Sequence, residues 1–152
     1  MPPATRITSI EILPRDIPLR EPFAIATGAQ LRADVAFTRV TLEDGSVGLG
    51  EAAPFPAVSG ETRDRSASVM RELAEALIGR DARKHVALEA ELAERAPNEP
   101  AARAGLATGI LDALARSYEA PLWALFGGAG PERITTDLTV TAGTSEHATR
   151  SR

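Results

Sequence analysis

The sequence predicts an α+β fold, a three-stranded antiparallel β-meander followed by a helical bundle. Three observations predict it. Residues 5–53 alternate apolar with polar positions and are frequent in β-branched side chains. Residues 61–118 are rich in Ala, Leu, Glu and Arg, with apolar residues three and four apart. A turn-rich segment, Pro54-Phe55-Pro56-Ala57-Val58-Ser59-Gly60, separates the two regions.

In the first region Ile10 and Ile12 alternate with polar neighbours until Pro14 interrupts, and Ile17 and Leu19 resume the pattern before Pro22. Val35, Phe37 and Arg39 then alternate against Ala36, Thr38 and Val40. Asp44-Gly45 is a strong hairpin signal, and Val47 to Ala52 is the return strand. A long loop is expected around residues 20–32.

In the second region Met70, Leu73, Ala74 and Leu77 mark a helix that Gly79 would stop. Leu88 and Leu92 mark a second helix, ended by Pro97. Asn98 could cap a third, with Pro100 in its first turn. Leu106, Ile110 and Leu114 form its stripe, with Ala104, Ala107, Leu111 and Ala115 on the flanks, which predicts a largely buried helix. Asp112 and Arg116 are spaced for a local ion pair. A short apolar helix at 121–126 ends at Gly127-Gly128, and residues 134–141 return to strand character. That last strand has no evident partner for its backbone groups, so it is expected to fray or to pair with another chain.

Composition narrows the function classes. The chain has 152 residues, 43% apolar and 25% charged, and no apolar run long enough to span a membrane. Its net charge of −4 and scattered basic residues argue against nucleic-acid binding, which needs a basic stripe. Cysteine is absent, which removes disulfides, thiolate metal sites and a cysteine nucleophile, and fits a cytoplasmic location. Lys84 is the only lysine, and the two histidines, His85 and His147, are far apart.

Four stretches in this order carry a resemblance. They are Pro18-Leu19-Arg20-Glu21-Pro22-Phe23; Gly48-Leu49-Gly50-Glu51-Ala52-Ala53-Pro54 with Ser59-Gly60-Glu61; Gly109 to Arg116 running into Pro121-Leu122; and Phe126-Gly127-Gly128 with Thr136-Asp137-Leu138-Thr139. The series resembles the enolase superfamily, and within it the muconate-lactonising subgroup and its dipeptide epimerases. The resemblance implies a capping domain over residues 1–128 and the first strand of a truncated (β/α) barrel over residues 129–152. It implies a Mg²⁺-dependent isomerase that removes an α-proton through an enolate, acting on a small-molecule substrate, a dipeptide or related carboxylate, as a homo-oligomer. Muconate cycloisomerase and o-succinylbenzoate synthase share this cap, and a free-standing interaction module is the non-enzymatic alternative.

The family's barrel lysines and its three Mg²⁺-binding carboxylates have no counterpart here, because one lysine cannot supply a Lys-x-Lys motif and a third lysine. The resemblance therefore assigns this chain no catalytic residue and no metal ligand. It implies that residues 20–32 and 54–62 close over the substrate. Phe23, Val58 and Thr139 match substrate-facing positions, although each also reads as an ordinary packing or strand residue. Gly28 falls where Ala-Glu epimerases carry an arginine that grips the substrate's acidic side chain, and the nearby Arg32 does not align with it. Glu51 supports its loop in such enzymes, and Asp112 is expected to pair with Arg116.

Overall fold

The computed structural model describes residues 4–25, 28–130, 133 and 135. Three strands, β1 (Ile7–Ile25), β2 (Gly28–Leu42) and β3 (Val47–Ala52), form an antiparallel sheet in the order β1-β2-β3. The β2–β3 turn is built as its Asp-Gly pair predicts. Gly45 takes φ 85°, and the Asp44 carboxylate accepts the Ser46 N–H at 2.8 Å.

Within the expected loop at 20–32, residues 20–25 and 28–32 are instead strand. β1 and β2 stay paired out to Ile25↔Gly28, with a register shift between Pro18 and Phe23 that leaves extra residues on β1. Pro14 does not end the strand either, for it stands opposite Ala36. β1 is an edge strand, where one row of N–H groups faces away from the ladder, so prolines are tolerated. Because β3 pairs with β2 only from Ala36 onward, residues 15–25 and 28–35 form a two-stranded arm beyond the three-stranded sheet.

The helices follow the predicted order. They are α1 (Pro56–Ser59), α2 (Arg63–Leu77), α3 (His85–Arg95), α4 (Pro100–Ser117) and α5 (Leu122–Leu125), with a 3₁₀ turn, Ala82–Lys84, before α3. Thr62 caps α2 by accepting the Arg65 N–H at 3.3 Å, and Gly79 turns the chain away with φ 80°. The start of α4 differs from expectation. Its cap is Glu99, which makes no capping bond, and not Asn98. The orphan Ala101 N–H is taken by the buried carboxylate of Glu61, at 3.0 and 3.2 Å, from forty residues earlier. Asn98 had the right residue type, but a carboxylate supplied by tertiary packing took over the role.

The core lies between the sheet and α2–α4. Ile7, Val40 and Leu42 from the strands meet Met70, Leu73, Leu77, Leu88, Leu92, Leu106, Ile110 and Leu114. Each such side chain, once buried, contributes on the order of 1.5–3 kcal/mol. The stripe on α4 is buried as its spacing predicts, whereas Ala104 on the flank is exposed. α4 rests directly on β3, glycine against glycine. A Cβ on Gly50 would lie 2.1 Å from the Gly105 carbonyl oxygen, and one on Gly48 would lie 2.1 Å from the Ala113 nitrogen. Between them the Leu49 N–H donates to Asp112 at 2.8 Å, and Asp112 also accepts Arg116 Nε at 3.0 Å. The predicted Asp112–Arg116 pair therefore also fastens helix to strand.

Candidate functional site

The two segments expected to cover a substrate are far apart in sequence, and the fold brings them together. An open groove of about 380 Å³ runs between the arm and the start of the helical layer. Gln30, Leu31, Arg32 and Asp34 line one wall, and Pro54, Pro56, Thr62 and Arg63 line the other. Strand pairing places the first wall. The sharp descent from β3 through two prolines into α1 and the Thr62 cap places the second.

Phe23 is half-buried on β1, opposite Gln30 of the first wall. Val58 is 77% exposed on α1, between the lining residues Pro56 and Thr62. Both residues thus flank the groove without lining it. Thr139 lies outside the described residues, as do Asp137, His147 and, apart from Thr135, the strand-like segment 134–141. Gly28 opens β2 opposite Ile25. Glu51 is exposed on β3.

The groove is charged, and both of its arginines are paired with carboxylates. Arg32 Nε donates to the Asp16 carboxylate across the arm. Arg63 stands at the first position of α2, where its guanidinium meets Asp64 at 2.8 Å and Asp34 of the arm at 3.7 Å. The Arg32 hydrogen bond holds the Asp16 carboxyl below the ordinary carboxylate value, and Asp64 raises the Arg63 guanidinium. Sequence reading missed Asp34 and Arg63. Neither carries a motif, and they meet only because a strand and a helix start are adjacent in space. Among the described residues no group of three or more His, Cys, Asp or Glu converges to hold a metal ion. No described helix is long and apolar enough to cross a membrane.

Other carboxylates are depressed in the same way. Asp81 is lowered first by the Arg83 guanidinium, which it meets at 2.6 Å, and also by the Thr5 hydroxyl at 2.7 Å. Glu91 is lowered first by Arg80 at 2.9 Å. A carboxyl whose pKa falls on folding stabilises the fold above its unfolded value, about 4, and loses that contribution as pH falls through the folded value. The urea midpoint should therefore be flat from about pH 7 to 5 and fall below about 4. Asp81→Asn should make the acid limb shallower. An equally steep limb in that variant would remove Asp81 as a contributor.

The sequence profile described as "Mandelate racemase / muconate lactonizing enzyme, N-terminal domain" matches residues 7–127. An aromatic dipeptide epimerase from Herpetosiphon aurantiacus is 45% identical over 151 residues, which are 99% of this chain and 42% of that protein. An L-Ala-D/L-amino acid epimerase from Populus trichocarpa is 35% identical over 90% of this chain and 33% of its own length. Among solved structures, a mandelate racemase/muconate lactonizing protein from Herpetosiphon aurantiacus superposes with TM-score 0.87 at 44% identity, over 97% of this chain and 41% of that one. A dipeptide epimerase from Cytophaga hutchinsonii, complexed with Mg and D-Ala-L-Val, gives TM-score 0.87 at 27% identity, over 95% of this chain and 39% of its own. The chain spans less than half the length of each of these relatives. Meander, helical layer and the profile match over residues 7–127 agree, and the chain belongs to the mandelate racemase / muconate lactonizing enzyme family of the enolase superfamily, whose N-terminal capping domain it carries.

Proposed function

We propose that this chain is the substrate-covering part of a dipeptide epimerase, an isomerase that removes and returns an α-proton of a dipeptide. The observation that carries the proposal is the groove formed jointly by residues from 30–34 and 54–63. Relatives named as dipeptide epimerases, similar over nearly all of this chain, support it. In this reading residues 1–128 are the cap and residues 129–152 begin a barrel, with Thr139 on its first strand facing the substrate. The exposure of Trp123 and Phe126 near the end of the cap agrees with a further surface packing there.

The described residues do not fit a magnesium site. In this reading the ion is held by residues beyond this chain. The chain's own contribution is binding: apolar side chains beside the groove exclude water, and paired charges fix its walls. The lone lysine, Lys84, is exposed in the 3₁₀ turn before α3 and is not among the residues lining the groove, so it supplies no general base there.

The test is α-proton exchange. The parent enzyme, incubated with Mg²⁺ and L,L-dipeptides in D₂O, should incorporate α-deuterium seen by NMR. The 152-residue chain alone should give none above background. A parent inert toward every dipeptide would sink the epimerase reading, and exchange by the chain alone would sink its assignment as a non-catalytic part.

A further inference from the structure

We propose that Arg63 is a positioning residue that straps the arm of β1 and β2 to the first turn of α2, and so sets the width of the groove. The arm needs such a tie. Beyond Val35 it lacks the third strand, and a two-stranded ribbon is marginal in water on its own. The register shift between Pro18 and Phe23 interrupts its ladder as well.

Arg63 is placed to serve. It is the first residue of α2, anchored behind by the Thr62 cap and the buried N-terminal part of the helix, including Ser66 and Ala67. Its side chain is only 27% exposed, which fixes the guanidinium better than a free surface arginine. Asp64 holds it from the helix side, with Nε–Oδ1 at 2.9 Å. The remaining edge reaches Asp34 on β2, and Arg32, two residues along the same strand, is bonded to Asp16 on β1. Both strands of the arm therefore carry charge pairs, Asp16–Arg32 across the arm and Asp34–Arg63–Asp64 from the arm to the helix. Arg32, Asp34 and Arg63 also line the groove, so the strap spans the space it would regulate. A planar guanidinium can engage two carboxylates at once, which a lysine ammonium does with less geometric definition.

The functional consequence rests on the reading of the groove as the substrate cover; the strap itself does not. Hydrogen exchange by mass spectrometry on the 152-residue chain tests the strap. Arg63→Gln should speed exchange of residues 30–35 roughly two- to fivefold, the ratio that goes with an exposed ion pair's typical contribution, and leave residues 66–77 and 102–115 unchanged. Arg63→Lys should lie between the two. Exchanging the charges in an Asp34→Arg, Arg63→Asp double variant should restore part of the protection. Unchanged exchange in the arm, or an equal rise everywhere, would overturn the strap. In the parent enzyme, Arg63→Gln should raise KM for the dipeptide more than it lowers kcat. An arm that loosens without moving KM would leave the strap standing and overturn the substrate-cover reading instead.

Discussion

Replacing Gly50 by alanine should lower the unfolding free energy of this chain by about 3 kcal/mol, the upper part of the range for overpacking. The reason is the seam between β3 and α4. The added methyl would stand 2.1 Å from the Gly105 carbonyl oxygen, 2.6 Å from the Gly109 nitrogen and 2.7 Å from Thr108 Oγ1. Two of those atoms are backbone of a buried helix, so no rotamer change relieves the clash. Strand and helix would have to separate, which would also break the Leu49 N–H bond to Asp112. At a slope of about 2 kcal/mol/M, the urea midpoint should fall by roughly 1.5 M, or cooperative unfolding should be lost. Gly130→Ala is the control. Nothing lies within 4 Å of that position, and the change should be within about 0.5 kcal/mol of neutral. A Gly50→Ala midpoint within about 0.3 M of the wild type would show that the seam can open at no cost.

On the proposed epimerase reading, the full-length enzyme should turn over dipeptides with an apolar second residue at least about tenfold better, in kcat/KM, than Ala-Glu. A carboxylate that gives up water on binding needs a cation, and a charge-assisted contact of that kind is worth about 1.5–3 kcal/mol. The cations lining the groove are already engaged. Arg32 is bonded to Asp16, and Arg63 lies between Asp64 and Asp34. An acidic side chain would have to displace one of those carboxylates, and it would also meet their repulsion. Gly28 offers no side chain at the head of β2. Steady-state kinetics over a panel of Ala-Glu, Ala-Leu and Ala-Phe would decide, and Ala-Glu emerging as best would refute the argument. Asp16→Asn frees Arg32 and should narrow the preference. A panel unchanged by that variant would show that Arg32 does not reach the substrate.

The sequence by itself determined the class of fold, the order of its elements and the buried stripes. Period-two and period-3.6 patterns are local, and Val40, Met70, Leu106 and Ile110 are buried where those periods put them. It also determined the Asp44-Gly45 turn and the Asp112–Arg116 pair, since both depend on residues within four positions. The seam was half legible. Gly48 and Gly50 share one face of a strand and Gly105 and Gly109 one face of a helix, but only packing shows that the two faces meet. The segments read as covering a substrate could be named only through resemblance to known enzymes, and the tertiary structure decided how they fold. Cross-strand pairing carried residues 23–25 and 28–30 into a paired arm despite Pro18 and Pro22, because ladder pairing outweighs local propensity. Glu61 caps α4 and Arg63 meets Asp34 for the same reason. Both are contacts across long stretches of chain, fixed by where the core places their backbones and invisible to any local pattern.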